Sequence, residues 1–203
     1  MKEARAWTRK RIFRIALAVI LTGLVVLVAA FVQIRGAVHQ HCIKMLGTQL
    51  RIYAEEFDGK YPAHTNGFGD AIVACFKHSG MTNQLEARLF TAPGDDGSLL
   101  MESLRTGTHL PEDRCSRAYV QGLKETSAPT ICLMFDRYPT RGGDHFHTPW
   151  ARWLREVCMA DGSMQIVLEQ NWPKFRADQI ELLVAAGIPR QTAEKLYAPY
   201  PRK

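Results

Sequence analysis

One unbroken apolar run dominates the first part of the chain. Residues 15–34 are twenty residues without a charge, and only Thr22 and Gln33 are polar. A run of this length spans the hydrocarbon core of a bilayer, so the pattern predicts a membrane-spanning helix. A cleavable signal peptide cut after Ala30 is the alternative, but its apolar region would normally be only about 7–15 residues long.

The helical pattern continues beyond this run. Apolar residues recur at spacings of three and four, which places them on one helix face: Val38, Cys42, Leu46, Leu50, Tyr53 and Phe57. No proline or turn cluster interrupts residues 15–57, so we expect one helix of about 43 residues whose outer half packs on another element. Asp58 and Gly59 follow, and Gly59 can take the left-handed conformation that ends helices.

The rest of the chain alternates short helices and strands. A helix is predicted over 69–78, and strand-like runs occupy 117–121, 130–136, 156–160 and 163–168. After Trp172 and Pro173, two further helices are expected at 178–186 and 191–197. The predicted fold class is α+β: a long N-terminal membrane-spanning helix packed by its outer half on a small antiparallel sheet, with a C-terminal helical tail.

Most of the formal charge of +6 lies at the N-terminus. Residues 1–14 carry six basic side chains against the single acidic Glu3, so the remainder is nearly neutral. A neutral body argues against nucleic-acid binding, and basic residues before an apolar span favour an N-terminus held in the cytoplasm. The predicted location is therefore the inner membrane, crossed once, with the C-terminal domain periplasmic or otherwise extracytoplasmic.

Five segments follow from these patterns. We expect a basic cytoplasmic tail, a transmembrane helix, an extension of the same helix, an extracytoplasmic α+β domain and a helical C-terminal tail, at residues 1–14, 15–34, 35–58, 59–172 and 173–203.

Catalytic signatures are missing from the sequence. It has no G-x-S-x-G, Walker A, H-E-x-x-H or dinucleotide-binding motif, so we predict neither an enzyme nor a cofactor. Asp144, His145 and His147 could join Asp161 as oxygen and nitrogen ligands of a metal. Hydrophilic loop residues are the favoured interpretation, because no ligand pattern repeats elsewhere. The alternative is a membrane-tethered, metal-dependent enzyme or sensor that uses the 144–161 loop.

Asp161 and Gly162 lie between two strand-like runs. An Asp-Gly pair in that setting predicts a type I′ hairpin turn, which needs positive φ at both residues. Both residues are then explained as structural, with no ligand.

The five cysteines form no C-x-x-C motif. Cys132 and Cys158 are symmetric about residue 145 in the proposed strand–loop–strand, so we expect them to lie opposite each other, close to the distance of a disulfide. An odd count leaves one thiol over, for which we favour Cys42, just beyond the apolar run.

The long helix followed by residues 42–62 resembles the pilin-like proteins of the type II secretion pseudopilin class. Four later segments, in preserved order, resemble prepilin-type proteins named for a His followed at a distance by Asp-Gly: 117–123, 131–137, 142–147 and 159–163. The resemblance assigns His147 and Asp161-Gly162 to that motif, although the prepilin peptidase signature is absent at residues 11–16. It implies a non-enzymatic structural or interaction protein of a secretion or pilus-like assembly, whose long helix binds the membrane and other pilin-like or secretion proteins.

Overall fold

The structure is a computed structural model that describes the backbone at residues 2–80, 97–141 and 153–198. Side chains are described at the same residues except 2–13, 31–42 and 140–141. The chain divides into two compact units, Met1–Val38 and His39–Lys203.

The described part of the chain is α+β. Its helices are α1 (Lys2–Glu56), α2 (Phe68–His78), α3 (Ser98–Thr106), α4 (Trp172–Ala185) and α5 (Arg190–Leu196). Short 3₁₀ turns occupy Glu112–Arg114 and Glu169–Asn171. The strands are β1 (Arg117–Tyr119), β2 (Cys132–Asp136), β3 (Thr140–Arg141), β4 (Trp153–Met159) and β5 (Met164–Leu168).

The predicted membrane-spanning helix is not supported. In the part of the chain that the structure describes, no helix has an apolar stretch of the length and hydropathy needed to cross a membrane. The side chains of 31–34, which completed the predicted span, lie outside the described residues. The predictions of a transmembrane anchor and of a single-pass inner-membrane location are corrected accordingly.

Helix α1 is also longer than expected. The helix begins at Lys2, so the segment predicted as a separate basic tail is helical over almost its whole length. Its basic residues are compatible with a helix because Lys and Arg have high helix propensity.

The C-terminal end of α1 belongs to the hydrophobic core of the second unit. Ile43, Leu46, Leu50 and Ala54 recur at spacings of three and four and are each at most 3% exposed. Gly47 lies on the same face, where a Cβ would come within 2.5 Å of Cys158 Sγ. Glycine therefore permits this helix to approach strand β4 closely.

The sheet is antiparallel and four strands wide. Strand β1 pairs with β2, β2 pairs with β4, and β5 pairs with the other edge of β4. Strand β3 also pairs with β4, through Thr140 and Leu154, so it continues the line of β2. The central strand β2 is buried at all five positions, as expected for a strand covered on both faces.

Helix α4 begins six residues before its predicted start. We expected Trp172 and Pro173 to precede the helix, whereas Pro173 lies in its first turn. Proline is accepted there because the first N–H groups of a helix have no intrahelical partner. Gln179 then joins α4 to the sheet, because its Oε1 accepts the Cys132 N–H at 2.7 Å and its Nε2 donates to Thr130 O at 2.9 Å.

Candidate functional site

Most of the predicted metal-ligating set falls outside the described residues. Asp144, His145 and His147 are in the segment 142–152, which the structure does not describe. Elsewhere, the described residues contain no group of three or more His, Cys, Asp or Glu side chains that could hold a metal ion.

Asp58 and Gly59 end helix α1. Both have left-handed backbone conformations, with φ of 54° and 71°, and the Gly59 N–H donates to Ala54 O at 2.8 Å. This geometry satisfies a carbonyl left free at the helix end, so the pair has a structural role.

Asp161 and Gly162 connect β4 to β5, but not through a type I′ turn. Gly162 has φ of 80°, whereas Asp161 is not among the described residues of positive φ. The Gly162 N–H donates to Met159 O, and the Met159 N–H donates to Ser163 O. This is the three-residue hairpin loop with a left-handed glycine at its end.

The Asp161 carboxylate stabilises the hairpin loop. Its Oδ1 accepts the Ser163 N–H at 2.8 Å. Hydrogen bonds from Ser163 lower the pKa of Asp161 from its ordinary value. The Arg51 guanidinium of α1 donates to the Asp161 carbonyl at 3.3 Å, which joins the long helix to the hairpin.

Cys132 and Cys158 do not face each other directly. Cys132 is opposite Met159 and Cys158 is opposite Met134, because the register shifts between Cys132 and Met134. The Cys132 N–H donates to the side chain of Gln179. The two residues are free thiols in the structure, so the expected pairing is wrong by one register position. The side chain of Cys42 lies outside the described residues.

A pair of opposite charges is buried in the sheet beside these cysteines. Arg117 Nε donates to Asp136 Oδ1 at 2.9 Å, and the two side chains are 1% and 6% exposed. Asp136 Oδ2 also accepts the Glu156 N–H at 3.0 Å. Such a pair holds β1, β2 and β4 together, and removal of either charge would be costly.

The candidate binding site is an open cleft of about 230 Å³ between the sheet and the C-terminal helices. We call it the arginine cleft. Its lining residues are Phe135, Arg137, Tyr138, Pro139, Arg155, Glu169, Trp172, Arg176, Leu196, Tyr197 and Ala198.

Arg155 is the most firmly held cation of the arginine cleft. Its Nε and Nη2 donate to the two carboxylate oxygens of Glu169 at 2.8 and 3.0 Å, a bidentate geometry. Its guanidinium lies 4.5 Å from the ring centroid of Trp172, and its Nη1 donates to the carbonyl oxygens of Asp136 and Arg137. These contacts fix the guanidinium plane at one wall of the cleft.

The other two cations of the arginine cleft differ in their surroundings. Arg137 is buried and its Nη1 donates to the carbonyl oxygens of Glu112 and Cys115. Burial lowers the pKa of Arg137 from its ordinary value, because desolvation disfavours the charged form. Arg176 is half-buried on α4, and the structure gives it no hydrogen bond or ion pair with any described residue.

Aromatic rings form the apolar wall of the arginine cleft. Phe135 and Tyr197 are stacked with ring centroids 4.5 Å apart, and Trp172 lies 5.4 Å from Phe135. Burial, with a smaller contribution from Cys132, raises the pKa of Tyr197 well above its ordinary value, so its hydroxyl stays neutral. The aromatic rings therefore form an apolar, uncharged side of the cleft, next to its arginine side chains.

A second surface of interest is on helix α1 within the first unit. Residues 15–28 contain ten large apolar side chains that are each at least 45% exposed, and we call this segment the apolar segment of α1. Its positions 24–28 are consecutive and cover all sides of the helix, because each residue advances by about 100°. The Thr22 hydroxyl donates to Ala18 O at 2.9 Å, so this polar group is satisfied within the helix.

The arginine cleft was missed by the sequence analysis. Its cations, at 137, 155 and 176, are separated by about twenty residues each and follow no motif spacing. Trp172 was noted only as the end of the sheet domain. Charged residues within a strand, as Arg155 and Glu156 are in β4, were the available signal.

The chain was compared with family models, with curated proteins and with solved structures, and no match was found.

Proposed function

We propose that the chain is a non-enzymatic, pilin-like interaction protein that associates with other pilin-like or secretion proteins through the apolar segment of α1. The α+β domain at the end of this helix offers the loops of its sheet as further contact surface. In this proposal the long helix provides the binding energy.

The exposed apolar side chains of residues 15–28 are the observation that carries the proposal. Val25 is 67% exposed and Leu27 is 68% exposed, and the segment has no charged residue after Arg14. A monomer in water rarely exposes a contiguous apolar patch larger than a few hundred Å². A helix that is apolar on every side is normally buried, so the segment requires cover from other apolar elements.

Other helices are the cover that fits best. The backbone groups of the segment are paired within the helix, so only side chains need partners. Apart from its chain neighbours and the nearby backbone of its own helix, Gly23 has no described atom within 4 Å of the position of a Cβ, which leaves room for the backbone of a partner helix to approach. An apolar helix of a second chain meets both requirements, because packed helices bury side chains without needing backbone hydrogen bonds.

The attachment of α1 to the domain also supports this function. The C-terminal end of the helix is fixed in the core of the second unit by Ile43, Leu46, Leu50 and Ala54. The Arg51 contact with the hairpin adds a polar connection on the same part of the helix. Association of α1 with a partner would therefore carry the α+β domain into the assembly.

Site-specific photocrosslinking in cells tests this function. A photoreactive phenylalanine analogue would replace Leu24 in the full chain, with the exposed Lys174 of α4 as the control position. We expect adducts at position 24, but not at 174, whose partner peptides come from apolar helices of other proteins. Adducts with lipid alone, or the same adducts from both positions, would contradict the proposal.

A further inference from the structure

The arginine cleft is a second binding surface, separate from the apolar segment of α1. It lies wholly within the second unit, and its lining combines three guanidinium groups with a single carboxylate, Glu169. That lining has an excess of two positive charges. An excess of cationic side chains in a cleft focuses the field and attracts anions.

We infer that the arginine cleft binds a small organic oxyanion, with a carboxylate or phosphate head group on an apolar or aromatic body. This inference goes beyond the proposed association through α1 and does not depend on it.

The head group would lie beside the guanidinium groups. Guanidinium presents a planar array of N–H donors that matches the oxygens of both carboxylate and phosphate. Arg155 already shows this mode with Glu169, and its Nη1 donates to two backbone carbonyl oxygens, so most of its donors are engaged. Arg176 makes no hydrogen bond or ion pair with a described residue, so its donors are available to an anion. Arg176 is accordingly the principal recognition residue.

Arg137 would contribute mainly through its charge. Its Nη1 already donates to two carbonyl oxygens, and burial disfavours its charged form. An anion in the arginine cleft would offset that desolvation cost, because a nearby opposite charge favours the ionised guanidinium. The acidic groups near Arg137 are Glu112 and Asp113, which the structure places outside the lining.

The body of the ligand would contact the aromatic wall. Trp172, Tyr197 and Leu196 present apolar surface on the helical side, and Phe135 lies at the sheet. A volume of about 230 Å³ is below the roughly 300–1,000 Å³ of sites for drug-sized ligands, so the cleft suits a small ligand. An inorganic anion would leave this wall without a partner.

Calorimetric titration of the full chain with four probes tests the inference. The probes are phenylacetate, phenyl phosphate, inorganic phosphate and the neutral 2-phenylethanol. Charge-assisted hydrogen bonds are strong enough that we expect at least one organic anion to bind about tenfold more tightly than the neutral alcohol. The comparison of phenylacetate with phenyl phosphate identifies the preferred head group, and inorganic phosphate should bind more weakly than phenyl phosphate.

Two substitutions on the same helix provide the matched comparison. Arg176→Gln should weaken binding of the organic anion about tenfold. Lys174→Gln removes one positive charge from an exposed position outside the lining and should leave binding unchanged. Thermal unfolding of both variants should match that of the original chain, because neither side chain is part of the core.

Several results would overturn the inference. They are the absence of binding at millimolar concentrations of both organic anions, equal binding of the alcohol and the anions, or equal binding of inorganic and phenyl phosphate. Equal affinity in Arg176→Gln and Lys174→Gln would also overturn it, since it would show that the cleft does not recognise the anion.

Discussion

The close approach of Gly47 to strand β4 gives the sharpest prediction about the fold. Gly47→Ala places a methyl group where the structure has Cys158 Sγ only 2.5 Å away. Ordinary contacts between such atoms are about 3.5–4.0 Å, so the Cys158 side chain must turn away within the filled core, or helix α1 or strand β4 must move by about 1 Å. Both elements are held in the core by buried neighbours, including Leu46 and Val157.

Two opposing effects set the magnitude. Overpacking a filled core costs about 1–3 kcal/mol. Replacing Gly by Ala within a helix returns about 0.5–1 kcal/mol of helix propensity. The middle of each range gives a net loss of about 1 kcal/mol in the free energy of unfolding for Gly47→Ala. That loss corresponds to a fall in Tm of roughly 2–4 °C for a chain of this size.

A double-mutant cycle separates steric overlap from other causes. Cys158→Ala removes the sulfur atom and should on its own cost stability, because it leaves a small cavity. In the double variant the new methyl group occupies that space, so we expect a favourable coupling of at least about 1 kcal/mol. Urea denaturation of the four full-length proteins measures the coupling.

The absence of coupling would refute this reasoning. A second refuting result would be a Gly47→Ala variant as stable as the original chain, or more stable. The stability of that variant would then be determined by helix propensity alone. Helix α1 would then not lie against β4 as the structure places it.

Three further predictions concern the buried charges, the hairpin and the thiols. Asp136→Asn breaks the buried ion pair with Arg117, so we expect a loss of about 3–5 kcal/mol in urea denaturation. Gly162→Val places a β-branched residue at φ of 80°, and we expect thermal unfolding to show a loss above roughly 1 kcal/mol. Burial raises the pKa of three thiols to about 12, so at neutral pH they stay protonated, and mass mapping should find them alkylated only after unfolding: Cys75, Cys115 and Cys158.

Matched controls make these outcomes decisive. Glu181→Gln removes one member of the exposed pair with Arg190 and should cause no measurable change. If Asp136→Asn is equally silent, the buried pair does not stabilise the sheet. Asp161→Asn keeps an oxygen acceptor for the Ser163 N–H, so a loss as large as that of Gly162→Val would contradict the turn geometry. Rapid alkylation of the three thiols in the folded protein would contradict their burial.

Local patterns predicted the elements well where one physical preference acted alone. The spacing of Leu46 and Leu50 correctly indicated a helix face, and these residues are buried in the core. Gly162 indicated a hairpin because few residues other than glycine accept its backbone conformation. Strand β5 was placed to within one residue by its apolar run and by the preceding turn.

Features that depend on tertiary contacts could not be predicted from the sequence. The prediction that Cys132 faces Cys158 assumed regular pairing of two strands symmetric about residue 145. The irregularity between Cys132 and Met134 shifts the register of β2 against β4. The side chain of Gln179, forty-seven residues away, accepts the N–H of Cys132. Pro173 was expected to precede the helix, whereas the first turn of a helix accepts proline and Pro173 lies in it.

The arginine cleft shows the same limit for binding surfaces. Arg155 and Trp172 are close only because strand β4 and helix α4 pack together. Neither residue is part of a local motif, so no spacing along the chain indicates the cleft. The apolar segment of α1, in contrast, is a property of consecutive residues and was visible in the sequence.

Comparative purification from cells tests association through the apolar segment most directly. The full chain, Val25→Asp and the control Lys174→Asp would each be isolated with an affinity tag, and the accompanying proteins quantified by mass spectrometry. Val25 is 67% exposed, so its substitution should not disturb the core of the folded domain. We predict that partners bearing apolar helices accompany the original chain and Lys174→Asp, and are lost from Val25→Asp. Recovery of the same partners in the same amounts with all three proteins would contradict association through this segment.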